Sequence, residues 1–173
     1  SSIQQYMKKA LKILGYILGT LLLLLGIGAA YVHFKGIPTY EVVRPEFPAF
    51  KPDSTMLAEG KRLSTMVCNQ CHLAESGKLE GKYMADVPTM FGKIWSPNIT
   101  RHPEFGVGRY SNTELAYLLR TGVKRDGKYA PPWMPKFPHL SDYDVQSIIA
   151  YLRSDAPELA PSEKAQPKSQ ASF

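Results

Sequence analysis

Apolar residues follow three patterns along the chain, and each predicts a different kind of element. From Ile13 to Val32 there are 20 residues without one formal charge. As a helix rising about 1.5 Å per residue, that run is ~30 Å long and matches the hydrocarbon core of a bilayer. Between Tyr40 and Asp53 the prolines Pro45, Pro48 and Pro52 break any helical period, so this stretch reads as a semi-extended tether. Beyond it the spacing turns helical. Leu57, Leu63 and Val67 follow Asp53 or Ser54 as N-cap. Leu115, Leu118 and Leu119 follow Ser111, with Glu114 completing a capping box and Gly122 ending the helix. Val145, Ile148, Ile149 and Leu152 follow Ser141, with Asp144 in the position equivalent to Glu114. No convincing pair of alternating strands appears, and the expected fold is mainly α.

These patterns divide the chain into residues 1–12 before the apolar run, an anchor helix over 13–34, a Pro-rich tether over 35–53, one domain over 54–155 and a flexible C-terminal tail over 156–173. The tail is expected from its Pro, Ser, Ala, Lys and Gln content. A cleaved signal peptide is the alternative for the apolar run, with Gly28-Ala29-Ala30 as a cleavage site. The run is longer than the usual ~7–15-residue signal core, which favours an uncleaved anchor. Gly15 and Gly19 form a GxxxG pair, and with Gly26 and Gly28 they make a helix suited to packing against other subunits.

Charge changes the picture in one respect. The formal net charge is +6, yet Lys8, Lys9, Lys12 and Lys35 flank the apolar run and no acidic residue precedes Glu41. Removing those four from the 21 basic residues leaves 17 against all 15 acidic ones. The basicity is therefore a membrane-orientation signal and not a nucleic-acid surface. It places residues 1–12 in the cytoplasm and the domain on the periplasmic or outer side of the cytoplasmic (inner) membrane.

The chain has two cysteines, and both lie in Cys68-Asn69-Gln70-Cys71-His72. This is the C-x-x-C-H pattern of covalent haem attachment. Two thiols about one helical turn apart can form thioethers to the two vinyl groups on one edge of a porphyrin, and the adjacent His72 then faces the iron. A redox C-x-x-C wants a βαβ context that is missing here. A structural zinc needs four ligands, and His33, His102 and His139 are widely separated. A disulfide would leave His72 without a role. The second axial ligand is expected to be Met134, in the stiff loop Pro131-Pro132-Trp133-Met134-Pro135, where prolines limit the entropy cost of holding a thioether at the iron. Met84, Met90, His102 and His139 are the competitors. Met/His ligation suits electron transfer and closes the iron to oxygen.

From Ser54 to Asp155 the sequence resembles a class I cytochrome c domain: a helix into Cys68-x-x-Cys71-His72, the Met134 loop and a final helix. More narrowly, Phe91-Gly92, Ser96-Pro97-Asn98-Ile99-Thr100, Gly106-Val107-Gly108, Arg120-Thr121-Gly122-Val123 and Arg125-Asp126-Gly127 resemble the cytochrome subunits of membrane-bound alcohol and gluconate dehydrogenases. Those subunits usually carry three haem modules, where this chain has one. The resemblance implies the class I cytochrome c fold, one haem c, close crossing of the first and last helices at Gly60 and Tyr151, and a Ser96–Thr100 loop against the haem. It also makes Trp95, Asn98, Arg120 and Arg125 candidates for hydrogen bonds to the propionates. The expected function is that of a non-catalytic electron-transfer protein. As tethered carrier or complex subunit, it would pass single electrons from a quinol-oxidising complex or dehydrogenase to a terminal oxidase. The alternatives are a haem enzyme or gas sensor with an open distal site, and a non-haem exported domain.

Overall fold

The computed structural model describes residues 2–36, 39–42 and 44–171, which form two compact units divided between residues 38 and 39. The first unit is one helix, α1 (Ser2–Lys35), with no buried residue. It has the length and composition to cross a membrane: its most apolar 18-residue window has a mean hydropathy of 2.2. The helix extends beyond the uncharged run at its N-terminal end, because Lys8, Lys9 and Lys12 are good helix formers that leave the period intact.

The second unit is built on α2 (Ser54–Val67), the single-turn α3 (Asn69–His72), α4 (Asn112–Thr121) and α5 (Asp142–Arg153). Local chemistry sets their ends. Asp53 caps α2 by accepting the Met56 N–H at 2.7 Å. Ser111 and Glu114 form the expected reciprocal capping box on α4, and Gly122 closes that helix with φ 77°. Ser141 caps α5 by accepting the Asp144 N–H at 3.1 Å. Leu115 and Leu119 of α4 meet Val145, Ile148, Ile149 and Leu152 of α5 in one buried cluster that also takes in Leu79 and Leu159.

α2 crosses α5 at Gly60, where the backbones touch. A Cβ on Gly60 would lie 1.9 Å from the Ser147 carbonyl oxygen and 2.8 Å from the Tyr151 Cβ. Glycine is required here because any side chain would drive the two helices apart. The crossing fixes the C-terminal end of α2, and with it the start of the cysteine motif.

Two expectations need correction. The stretch expected as a tether over 35–53 lies against the domain from Thr39 onward; Ile37, Pro38 and Val43 fall outside the described residues. Thr39 bridges Lys128, the Tyr40 N–H donates to the Gly127 carbonyl at 2.8 Å, and Phe47 and Phe50 pack on the core. Prolines keep that backbone extended, but two phenylalanines supply the apolar area that docks it.

The tail over 156–173 is likewise structured as far as Ala171, with Ser172 and Phe173 outside the described residues. Pro157–Leu159 forms a 3₁₀ turn that buries Leu159 completely. At its far end β2 (Gln170–Ala171) pairs antiparallel with β1 (Gly92–Lys93). This short pair was not expected either, since two-residue strands carry no alternating pattern.

Candidate haem site

The cysteine motif sits where α2 ends and α3 begins. Cys68 keeps near-helical angles, φ −105° and ψ −43°, and its N–H still donates to the Ser64 carbonyl at 2.8 Å. The Cys68 carbonyl then accepts from Cys71 N–H at 3.1 Å and from His72 N–H at 2.9 Å. One turn of helix therefore separates the two thiols, which are half-buried and free of any disulfide. Burial pushes the Cys68 thiol above its ordinary value, with the neighbouring Cys71 adding to the shift and a hydroxyl contact opposing it.

His72 is 7% exposed. Its Nδ1 lies 2.8 Å from the Pro97 carbonyl oxygen. A carbonyl only accepts, so Nδ1 carries the proton and the Nε2 lone pair is left for a metal. Burial holds the imidazole below its usual pKa, the Pro97 hydrogen bond opposes that shift, and the charge of Lys82 adds to it. The ring is thus neutral, with one nitrogen committed and one available.

The loops around the motif are tied to it by backbone. Gly81 N–H donates to the His72 carbonyl at 2.9 Å. The Ser96 hydroxyl donates to the Cys71 carbonyl at 2.5 Å and accepts the Lys82 N–H at 2.8 Å. Gly81 has φ 80°, and a Cβ there would lie 2.2 Å from the Ser96 carbonyl oxygen. Two loops, 79–84 and 94–101, are therefore closed on each other behind the imidazole.

Met134 is half-buried in the loop between α4 and α5, where its N–H donates to the Pro131 carbonyl at 3.0 Å. Lys136 Nζ donates to the Pro131 carbonyl at 2.7 Å, and Phe137 N–H to the Leu119 carbonyl at 2.8 Å. The loop is braced on both sides of the methionine. Among the competitors, Met90 is 76% exposed, and the His102 Nδ1 already accepts the Glu104 and Phe105 N–H groups at 3.2 and 3.1 Å. His139 is exposed, and Met84 is half-buried with its backbone paired to Ile94.

The four residues expected near the propionates have identifiable partners of their own. Asn98 Nδ2 donates to the Ser162 and Lys164 carbonyls at 2.8 and 3.2 Å, while Oδ1 accepts from Thr100 N–H and hydroxyl at 2.9 and 2.7 Å. Arg120 pairs with Asp142 at 2.5 Å and donates to the Leu140 carbonyl. Arg125 lies 3.7 Å from the Glu114 carboxylate and over the Tyr110 ring. Trp95 packs its ring on Tyr83, centroids 5.4 Å apart, and its backbone N–H donates to the Ser169 hydroxyl. Asn98 above all is a structural pin, and the Asn-x-Thr spacing was the signal for its turn. Within the Ser96–Thr100 loop, the tie from the Ser96 hydroxyl to Cys71 and the Pro97 carbonyl that meets His72 were not expected, nor was the burial of Glu80.

The donor set fits a covalent haem: two unbonded thiols a turn apart on a helix, beside a neutral imidazole with its tautomer fixed. Among the described residues no group of three or more His, Cys, Asp or Glu is placed to hold a metal ion. A mainly helical domain carrying this arrangement is a cytochrome c, the class that holds its haem through thioethers and an axial histidine. Within that class the chain belongs to the family described as cytochrome c oxidase, cbb3-type, subunit III, which matches residues 55–152.

The curated relatives are much longer proteins. A nicotinate dehydrogenase subunit of Pseudomonas putida is 36% identical over 107 residues, covering 60% of this chain and 9% of that protein. The cytochrome c subunit of alcohol dehydrogenase (quinone) from Gluconobacter oxydans is 30% identical over 116 residues, 65% of this chain and 24% of that one. The fructose dehydrogenase cytochrome subunit of Gluconobacter japonicus is 32% identical over 111 residues, 61% and 22% respectively. The chain thus spans less than a quarter of the length of these relatives.

Proposed function

We propose that this chain is a non-catalytic electron-transfer cytochrome, holding one haem c through Cys68 and Cys71 with His72 and Met134 as axial ligands. The observation that carries the reading is the His72 ring, neutral, buried and oriented by Pro97, one residue from a free thiol and a turn from the other. The two cysteines of the sequence supply one such attachment. When bound, haem c supplies a one-electron couple. The protein's own part is to hold the ring nitrogen and the thioether sulfur in place and to keep water from the metal.

The relatives' names support a role beside a dehydrogenase, as a fixed subunit or a tethered carrier. The donor would be that dehydrogenase or a quinol-oxidising complex, and the acceptor a terminal oxidase. With α1 in the cytoplasmic membrane and Lys8, Lys9 and Lys12 inside, the haem domain faces the periplasm. Anchoring raises its effective concentration at a membrane partner towards ~mM without new contacts.

The test is the mass of the intact chain after expression with the haem-attachment machinery. One covalent haem per chain is expected, and none in the Cys68→Ala, Cys71→Ala double variant. Retention of covalent haem by that variant, or its absence in the parent chain, contradicts the reading.

A further inference from the structure

The hydrogen bond that fixes His72 has its acceptor on a loop, and a loop holds such an acceptor still only if something braces it. Here the brace is the segment after α5. Asn98, next to Pro97 and 5% exposed, donates to the Ser162 and Lys164 carbonyls. On the facing loop, the Gln166 side-chain amide donates to the carbonyls of Glu80 and Gly81, each at 2.8 Å. Glu80 is 6% exposed, and its carboxylate accepts from Ser76, Ser162 and Lys164. Gly81 in turn sits against Pro97: a Cβ on it would lie 2.7 Å from the Pro97 carbonyl oxygen. Farther along, Ser169 clasps the Trp95 backbone on both sides, its hydroxyl 3.0 Å from N and 3.2 Å from O.

We propose that residues 162–170 are a positioning strap that sets the His72 Nδ1–H to Pro97 hydrogen bond, and through it the donor strength of Nε2 toward the haem iron. This rests on the reading of His72 as a haem ligand. A hydrogen bond at Nδ1 raises the basicity of the imidazole. A more basic ligand favours the ferric state and lowers the reduction potential. Loosening the strap lets the Pro97 carbonyl drift, weakens the donor and raises the potential. A segment that only shielded the haem would act with the opposite sign, because added water stabilises the more highly charged ferric site. The sign of the shift separates a positioning role from a covering one.

The experiment uses the haem-loaded full chain, a chain ending at Pro161 and the single variant Gln166→Ala. The midpoint potential is measured for each. The exchange rate of the His72 ring N–H is followed by NMR in the ferrous state. Both altered chains are expected to keep a low-spin spectrum, shift to more positive potential and exchange the ring proton faster, the truncation more than the point variant. The truncation's potential shift should correspond to about a threefold change in the ferrous-to-ferric ratio, as for a hydrogen bond weakened and not lost. A potential that stays or falls overturns the strap, whatever the exchange rate does. If the truncated chain does not fold, Gln166→Ala decides by the same criteria. A parent chain without a low-spin c-type spectrum sinks the His72 reading and the strap with it, whereas a normal spectrum with an unmoved potential sinks the strap alone.

Discussion

His72 has to be buried yet keep a lone pair available, and the Pro97 carbonyl makes that possible by taking the Nδ1 proton in a hydrogen bond. The second ligand we propose, Met134, sits on a loop whose backbone is braced by Pro131, Lys136 and Phe137. Replacing it, as Met134→Ala, is expected to abolish the six-coordinate low-spin spectrum and lower the midpoint potential, since the thioether raises it. An unchanged spectrum would move the assignment to Met84, Met90 or His102. Glu80 offers a second test at this scale. Hydrogen bonds from Ser162 and Ser76, and the Lys164 ammonium, hold its carboxyl below the usual range against the opposing effect of burial. Its folded pKa is therefore below the unfolded value of about 4.3. Its contribution is fully present above that value and is lost as pH falls through the folded pKa. Protection of the amides in 156–171 from hydrogen exchange, relative to the intrinsic rate at each pH, should fall on acidification below about pH 4 in the parent chain. In Glu80→Gln that protection should already be low at neutral pH and change little with acid.

At the scale of elements, the helices were legible where their signals are local. Asp53, Ser111 with Glu114, Gly122 and Ser141 each act within one turn of the residue they cap, so short sequence windows contain the whole argument. The crossing of α2 and α5 was legible only through family resemblance, because nothing near Gly60 in sequence announces Ser147. Substituting Gly60→Ala should cost ~1–3 kcal/mol in denaturant unfolding, because the Cβ meets backbone and not a movable side chain. A cost near zero would mean that the helices can part freely. The segment over 156–171 departs from the expected flexible tail for the opposite reason. Its composition is that of a disordered tail, while its order comes from ties such as Asn98 to Ser162 and Glu80 to Lys164, separated by 64 and 84 positions. The stretch before Ser54 followed the same course, with Phe47 and Phe50 outweighing the prolines around them.

At the scale of the molecule, the chain is a membrane-capable helix joined to a helical cytochrome c domain, and the two units have separate internal contacts. α1 itself has no buried residue. A chain beginning at Thr39 should therefore unfold with the same free energy as the parent to within ~0.5 kcal/mol, while losing its partition into bilayers. A larger loss of stability would mean that the helix supports the domain. The proposed electron-transfer role turns on one metal centre, a haem closed between His72 and Met134. The most direct measurement is the visible spectrum of the ascorbate-reduced protein with and without carbon monoxide. A sharp low-spin c-type spectrum that carbon monoxide leaves unmoved is the predicted result. A shift on adding carbon monoxide would contradict it, because it would show an open or labile iron, as in a sensor or a haem enzyme.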